Sequence, residues 1–242
     1  MRIGIIGTGT IASAVVTGIA QDGHEITVSE RNAARSAELA ARFDAVTVAA
    51  NQDVIDRSDV VFLGLMAGQA GAVLEGLRFR AGQDVISLMA GISLDAVAGL
   101  VAPARAVAIM IPFPGIARGG SPVMVRGDGA LVREIVGQRN TVYDVQSDAE
   151  MDVYMAAQAV LSPAVKMVDT AAQWMAEAGA DPAAAEGFLR HLVGSSLLAS
   201  GTGDMLRALD APGGYNQRLR NHMVDAGMDA DLRAGLERLR GG

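Results

Sequence analysis

Two spacings of apolar residues divide the chain. Through about residue 145, short β-branched runs alternate with stretches whose apolar residues recur every three or four positions. From Met151 onward only the helical spacing remains. The runs predict strands at residues 3–6, 25–28, 46–48, 59–65, 84–91, 106–111, 122–125 and 141–145. Helices are predicted between them at residues 11–19, 31–43, 69–77 and 130–136, with Ser93 and Asp95 placed to cap another. Strand and helix in alternation imply an α/β domain, a doubly wound parallel sheet covered on both faces. The polar segment Gln146-Ser-Asp-Ala-Glu150 is the expected hinge, giving a nucleotide-binding domain of residues 1–147 and an all-helical domain of residues 148–242.

In the helical part, Tyr154, Leu161, Val165, Val168 and Met175 share one face of a long helix, and Val153, Val160, Met167 and Trp174 share another. Two apolar faces need two partners. A third stripe, Gln158, Ser162, Lys166, Asp169 and Gln173, is polar and faces water or a cleft. Pro163 lacks the N–H that would bond Ala159 and is expected to kink this helix beside Ser162. A second long helix (182–200), a short one (204–209), the turn Ala211-Pro-Gly-Gly214 and a helical pair reaching Arg240 complete the chain.

The first strand carries the chemistry. Ile3, Ile5 and Ile6 suit a buried central strand, and Gly7-Thr-Gly-Thr-Ile-Ala12 follows at once. Gly7 permits a tight turn, Gly9 lets the backbone approach a pyrophosphate, and Ala12 keeps the next helix close to the sheet. Thr8, Thr10 and Ile11 would bind through backbone N–H groups at the positive end of the helix dipole. The second strand leads into Ser29-Glu-Arg-Asn32, with Arg35 a turn later. An NAD site wants a carboxylate for the ribose 2′-hydroxyl, whereas an NADP site wants hydroxyls and arginines for a 2′-phosphate. Glu30 argues for the first; Ser29, Arg31 and Arg35, if they converge, argue for the second. NADP is therefore expected, with NAD as the alternative. Ligands in such sheets lie beyond the carboxyl ends of the strands, which adds Leu65, Met66, Ala90 and Pro112 as cofactor walls.

Composition narrows the class. A formal net charge of −7 disfavours nucleic acid or an anionic membrane as partner, which leaves a small-molecule substrate. There are no cysteines, and His24, His191 and His222 stand far apart, so neither thiolate chemistry nor a metal site is expected. The two histidines of the helical part are expected to pack or to lie at the surface. The beginning of the chain lacks the apolar run of a signal peptide and no stretch is long enough to span a membrane, so a cytoplasmic protein is expected.

Several segments together resemble the pyrroline-5-carboxylate reductase family over essentially the whole chain. They are Gly4 to Ala12, Val28-Ser-Glu-Arg31, Met89-Ala-Gly-Ile-Ser93, Met110-Ile-Pro-Phe-Pro114, Ser162-Pro-Ala164 and Ala211-Pro-Gly-Gly214. The resemblance implies an all-helical dimerisation domain of the 6-phosphogluconate dehydrogenase-like kind, NAD(P)H as reductant, and hydride transfer to the C=N bond of a small cyclic imine, as in proline biosynthesis. The chain departs from the family where substrate would bind. The two serines and the tyrosine expected at the substrate carboxylate are Ala159, Leu161 and Val165, and the two threonines after Pro-Gly-Gly are Tyr215 and Asn216. The asparagine of the proline-rich loop is Pro112, and the lysine expected after the fourth strand is Met66. An altered substrate follows, met by Ser162, Gly214 and Asn216.

Lys166, the single lysine among twenty basic residues, and Tyr215 are the candidate proton donors. Lys166 sits one turn after Ser162, similar to the acid/base lysine of β-hydroxyacid dehydrogenases, which would act on a C=O bond. Its alternative is an exposed pairing with Asp169 at i+3. Tyr215 follows a glycine turn and offers a phenolic O–H, but a tyrosine at a helix start also packs. A third reading is a dinucleotide-binding protein without catalysis. The apolar helical faces, with Leu192, Leu197 and Leu198, predict a homodimer formed through the helices.

Overall fold

The computed structural model describes residues 1–240. The chain divides into two compact units, Met1–Met151 and from Asp152 onward. The division lies four residues beyond the expected boundary, inside a helix.

The first unit is an eight-stranded sheet in the order β3-β2-β1-β4-β5-β6-β7-β8. Its strands are β1 (Arg2–Ile6), β2 (Glu25–Ser29), β3 (Val46–Ala49), β4 (Val60–Leu63), β5 (Asp84–Ser87), β6 (Arg105–Pro112), β7 (Pro122–Gly127) and β8 (Thr141–Val145). Its helices are α1 (Thr10–Ile19), α2 (Ala33–Arg42), α3 (Asn51–Arg57), α4 (Ala67–Leu74), α5 (Leu94–Val101) and α6 (Gly129–Val136). Successive side chains of a strand point to opposite faces, so a strand buried on both sides must be apolar throughout. In β4, Phe62 joins the core beneath α1, α2 and α6, while Val61 and Leu63 join the core beneath α3, α4 and α5. Ile3 and Ile5 of β1 belong to the first of these cores and Ile6 to the second.

The doubly wound α/β architecture is the expected one, with one departure. β6 and β7 pair antiparallel, whereas every other neighbouring pair is parallel. The connection 113–121 is too short for the crossover that a parallel neighbour requires. It is taken up by a 3₁₀ turn, Pro114–Ala117, and by Gly119 and Gly120 at positive φ, which turn the chain straight back.

The expected hinge is half helix. α7 (Asp148–Ala157) starts inside it, because the Ser147 hydroxyl caps it and the Glu150 carboxylate reaches back to the chain just before the cap. The Glu150 N–H donates to Ser147 Oγ at 3.1 Å, and the Gln146 N–H donates to Glu150 Oε2 at 2.6 Å. A serine followed three residues later by glutamate is a helix-start signal that polarity alone disguises.

In the second unit a 3₁₀ turn, Gln158–Val160, separates α7 from α8 (Leu161–Glu177). The backbone stays helical on both sides of this turn, and the interruption expected from Pro163 falls in the turn before it, where the ring offers no N–H to the Ala159 carbonyl. Then come α9 (Pro182–Ala199), packed on α8, α10 (Thr202–Ala208), α11 (Tyr215–Asp225) and α12 (Met228–Arg240). Among the described residues of this unit only Ala156, Ala172 and Ala185 are buried, and Leu198, Trp174, Leu161 and Leu219 are among its exposed apolar side chains. No helix of the described residues is long and apolar enough to cross a membrane.

Candidate functional site

The carboxyl end of β1 opens onto a cleft of about 410 Å³ in the first unit. Gly7, Thr8 and Gly9 form one wall, Arg31, Asn32 and Ala33 a second, and Gly64, Leu65, Met66 and Gln69 a third. The turn after β1 exists because its glycines can do what other residues cannot. Gly7 has φ +91°, and a Cβ there would stand 2.4 Å from the Gly64 carbonyl oxygen. Gly64 is equally confined, since its own Cβ would lie 2.6 Å from the Ala12 methyl and from the Gly7 carbonyl oxygen. The Gly64 N–H donates to Ile6 O at 2.8 Å. Gly7, Gly64 and Ala12 thus let β1, β4 and α1 meet at backbone distance. Gly64 was legible as an isolated glycine at the end of an apolar run, a signal of close backbone approach.

Gly9 is different. A Cβ there would meet nothing within 4 Å, so the space in front of it is open. Gly9 caps α1 with no side-chain hydrogen bond, and the first turn of α1 contains no acidic residue. The first helical bond runs from the Ser13 N–H to Gly9 O at 2.9 Å, which leaves the N–H groups of Thr10, Ile11 and Ala12 without a helical acceptor. Three unpaired donors at the positive end of a helix suit an anion.

Ser29, Arg31 and Arg35 do not converge as expected. Ser29 does not face the cleft. It is fully buried, and its Oγ accepts from the Gly7 N–H at 2.8 Å, so it supports the turn instead. Arg35 turns towards α1, donating to Thr10 Oγ1 at 3.1 Å, and both line a separate, smaller cleft. Arg31 alone of the two arginines lines the main cleft, and its Nη2 donates to Gln69 Oε1 at 3.0 Å across the opening. Helix α2 begins later than its apolar spacing suggests because Asn32 is its cap, accepting from the Arg35 N–H at 3.3 Å. Glu30 is exposed and outside the lining, and none of the residues lining the cleft is acidic.

Leu65 and Met66 line the cleft, Met66 with its side chain exposed. Ala90 follows β5 and Pro112 ends β6, farther along the same sheet edge and outside this cleft. In the second unit, Ser162 and Lys166 lie one turn apart on α8. Lys166 Nζ donates to Asp169 Oδ2 at 2.7 Å, the i+3 pairing that was its alternative reading. That bond, and the positive charge behind it, hold the Asp169 carboxyl below the usual carboxylate range. Tyr215 opens α11 behind its cap Gly214, with Asn216 next, and its ring is 90% exposed. The turn before it is closed by the Gly214 N–H on Ala211 O at 2.9 Å and braced by Gln217, which bonds both the Gly213 N–H and Asp210. No hydrogen bond or ion pair among the described residues joins the Ser162 and Lys166 pair to the Tyr215 and Asn216 pair. No group of three or more His, Asp or Glu among the described residues is placed to hold a metal.

Comparison with known structures agrees with this architecture. All of the chain aligns with 97% of a 1-pyrroline-5-carboxylate reductase from Streptococcus pyogenes, with a TM-score of 0.85 and 26% identity. The chain has the pyrroline-5-carboxylate reductase fold. A pyrroline carboxylate reductase from Plasmodium falciparum, solved with NADP bound, shares this fold at a TM-score of 0.80 and 12% identity, over 100% of this chain and 96% of that one. A reductive aminase from Aspergillus terreus, in complex with NADPH and ethyl levulinate, matches at a TM-score of 0.64 and 17% identity, over 99% and 91%. Residues 2–91 match the family model described as NADP oxidoreductase coenzyme F420-dependent. No curated protein sequence matches the chain. The reductase fold is that of NAD(P)-dependent oxidoreductases, and the β1 turn is where it places the glycines and open helix N-terminus just described.

Proposed function

We propose that the protein is an NADPH-dependent oxidoreductase that reduces the C=N bond of a small imine. The observation that carries the cofactor is the lining of the cleft: an open helix N-terminus at one end, Arg31 and Asn32 at the other, and no carboxylate to hold a ribose 2′-hydroxyl. Arg31 suits a 2′-phosphate because its guanidinium forms charge-assisted, often bidentate, bonds to phosphate oxygens. The solved relatives named above, one bound to NADP and another to NADPH, support the same choice. When bound, such a cofactor supplies the hydride. The chain's own contribution is to hold it with the Thr10, Ile11 and Ala12 amides, to orient it with Leu65 and Met66, and to place a proton on the substrate nitrogen. Lys166 or Tyr215 is the proposed donor, with Ser162, Gly214 and Asn216 as proposed substrate contacts.

The likeness to reductases of cyclic imines and to a reductive aminase supports a C=N substrate. Leu161 and Val165, exposed and apolar on α8, support one less polar than an amino-acid imine. The test is NADPH oxidation with a panel of cyclic and acyclic imines, with and without a carboxylate, set beside 3-oxo acids. Turnover of imines sustains the reading; turnover confined to 3-oxo acids replaces it with the Lys166-based hydroxyacid chemistry; and tight NADPH binding without turnover of either class leaves a binding protein.

We also propose a homodimer through the second unit. A helical unit whose described residues bury only three alanines has little core of its own. Val160, Met167, Trp174, Leu197 and Leu198 supply the apolar surface a second copy would cover.

A further inference from the structure

Three buried hydroxyls join the two ends of the cleft. Thr8 is 1% exposed, and Ser29 and Ser36 are fully buried. Ser36 Oγ lies 2.7 Å from the Ser29 carbonyl oxygen, 3.0 Å from the Asn32 carbonyl oxygen and 3.0 Å from Thr8 Oγ1. A hydroxyl has one proton to donate. With Ser36 donating to the nearer carbonyl, Ser29 O, its lone pair is left for the Thr8 hydroxyl, which becomes the donor of that pair. Ser29 Oγ meanwhile accepts from the Gly7 N–H. The glycine turn is therefore bonded twice to the β2–α2 segment, once through Gly7 and once through Thr8.

What lies between the two serines gives the network its meaning. Residues 30–35 include Arg31, Asn32 and Ala33, the whole second wall of the cleft. Ser36 closes this segment back onto Ser29, so Arg31 is carried on a short loop fixed at its base and bonded to Gln69 at its tip. Buried hydroxyls contribute little net stability compared with apolar groups of the same shape, but a satisfied network specifies one geometry. Here that geometry sets the distance between the amides that face a pyrophosphate and the guanidinium that faces the ribose.

We propose that Ser36, acting with Thr8, is a positioning residue that fixes Arg31 for a 2′-phosphate and so sets selectivity for NADPH over NADH; this rests on the NADPH reading above. Arg31 gains a charge-assisted bond only from the phosphorylated cofactor. Loosening the loop that carries it must therefore cost NADPH more than NADH, whereas simple damage to the fold costs both alike.

The experiment is fluorescence titration of NADPH and NADH with the full-length protein and with Ser36→Ala, Thr8→Val, Thr8→Ser, Arg31→Ala and the Ser36→Ala/Arg31→Ala double variant. Ser36→Ala and Thr8→Val are expected to lower the NADPH-to-NADH affinity ratio by about fivefold, the factor that corresponds to one ordinary hydrogen bond. Thr8→Ser, which keeps the hydroxyl, is expected to keep the ratio. With Arg31 absent, Ser36→Ala is expected to change the ratio no further, because the two act through one contact. Equal weakening of both cofactors, or an effect of Ser36→Ala that adds fully to that of Arg31→Ala, overturns the proposal and leaves the hydroxyls a structural role. If Ser36→Ala does not fold, Thr8→Val against Thr8→Ser decides alone. Should the unaltered protein show no preference for NADPH, the NADPH reading itself fails and takes the proposal with it; a preference that survives Ser36→Ala and Thr8→Val overturns only the proposal.

Discussion

Arg31 and Gln69 meet across the mouth of the cleft, the guanidinium of one donating to the side-chain carbonyl of the other at 3.0 Å. They come from two segments that line the cleft, the loop after β2 and the start of α4. The bond holds Arg31 over the cleft without neutralising it, because glutamine carries no charge. Arg31→Ala is expected to weaken NADPH by at least about tenfold, the loss of one charge-assisted phosphate contact, and to leave NADH nearly unchanged. Titration of both cofactors checks this; equal weakening of the two removes Arg31 as the discriminator.

Gly7 and Gly9 are two residues apart and should respond oppositely to a methyl group. Gly9→Ala adds a Cβ to open space at an ordinary φ of −68°, so the variant should lose only the modest stability of a poorer helix cap, a few degrees in Tm, while its NADPH affinity falls. Gly7→Ala puts a Cβ 2.4 Å from a backbone oxygen at φ +91°, where L side chains are strained, and should lose stability before any ligand is added. Thermal melts with and without NADPH separate the two. A Gly9→Ala protein with unchanged NADPH affinity would place the pyrophosphate elsewhere.

For catalysis, Lys166→Met and Tyr215→Phe each keep most of the side-chain volume and remove the proton. If one of them is the general acid, its replacement lowers kcat by roughly 10²–10⁴-fold, the usual contribution of a positioned acid, with little change in NADPH affinity. Steady-state kinetics on whichever imine turns over makes the distinction. A loss below about tenfold in both variants assigns proton delivery to water or another group.

Lys166→Met has a second expected effect, on acid titration. Lys166 holds Asp169 below its ordinary value, so in the folded protein the carboxylate persists to lower pH than in the unfolded chain. Such a group favours the fold above the ordinary carboxyl pKa of about 3.9 and ceases to do so as pH falls through its lowered folded value. The variant should show the Asp169 carboxyl titrating at higher pH by carbon NMR, with a correspondingly smaller acid-side loss. An unmoved titration would mean that Lys166 and Asp169 do not pair in solution.

Assembly is tested through the exposed apolar residues of the second unit. Light scattering should report a dimer at micromolar concentration, and Trp174→Glu or Leu198→Glu, which put a charge on side chains 68% and 91% exposed in the single chain, should shift it towards monomer. A monomeric parent protein contradicts the proposed dimer.

The sequence alone was enough for whatever depends on neighbours along the chain. Ile3 to Ala12 spelled strand, turn and helix because β-branched residues, a positive-φ glycine and a small helix residue each act within a turn or two of themselves. The alternation of strand and helix up to β8 dictated a two-faced sheet for the same reason, and the helix start at Ser147 and Glu150 was equally local, although polarity made it look like a hinge. Tertiary structure decided what depends on distant partners. Ser29 reads as a ribose ligand by position, yet folding brings it under Gly7, 22 residues away in sequence. Thr8 meets Ser36 over 28 residues and Arg31 meets Gln69 over 38. A hydroxyl or guanidinium bonds whichever polar group packing delivers to it, and no periodicity along the chain records which group that will be. Close backbone approach behaves the same way: Gly64 is legible as a glycine in an apolar run, but only the sheet shows that Ala12 and Gly7 are what it makes room for.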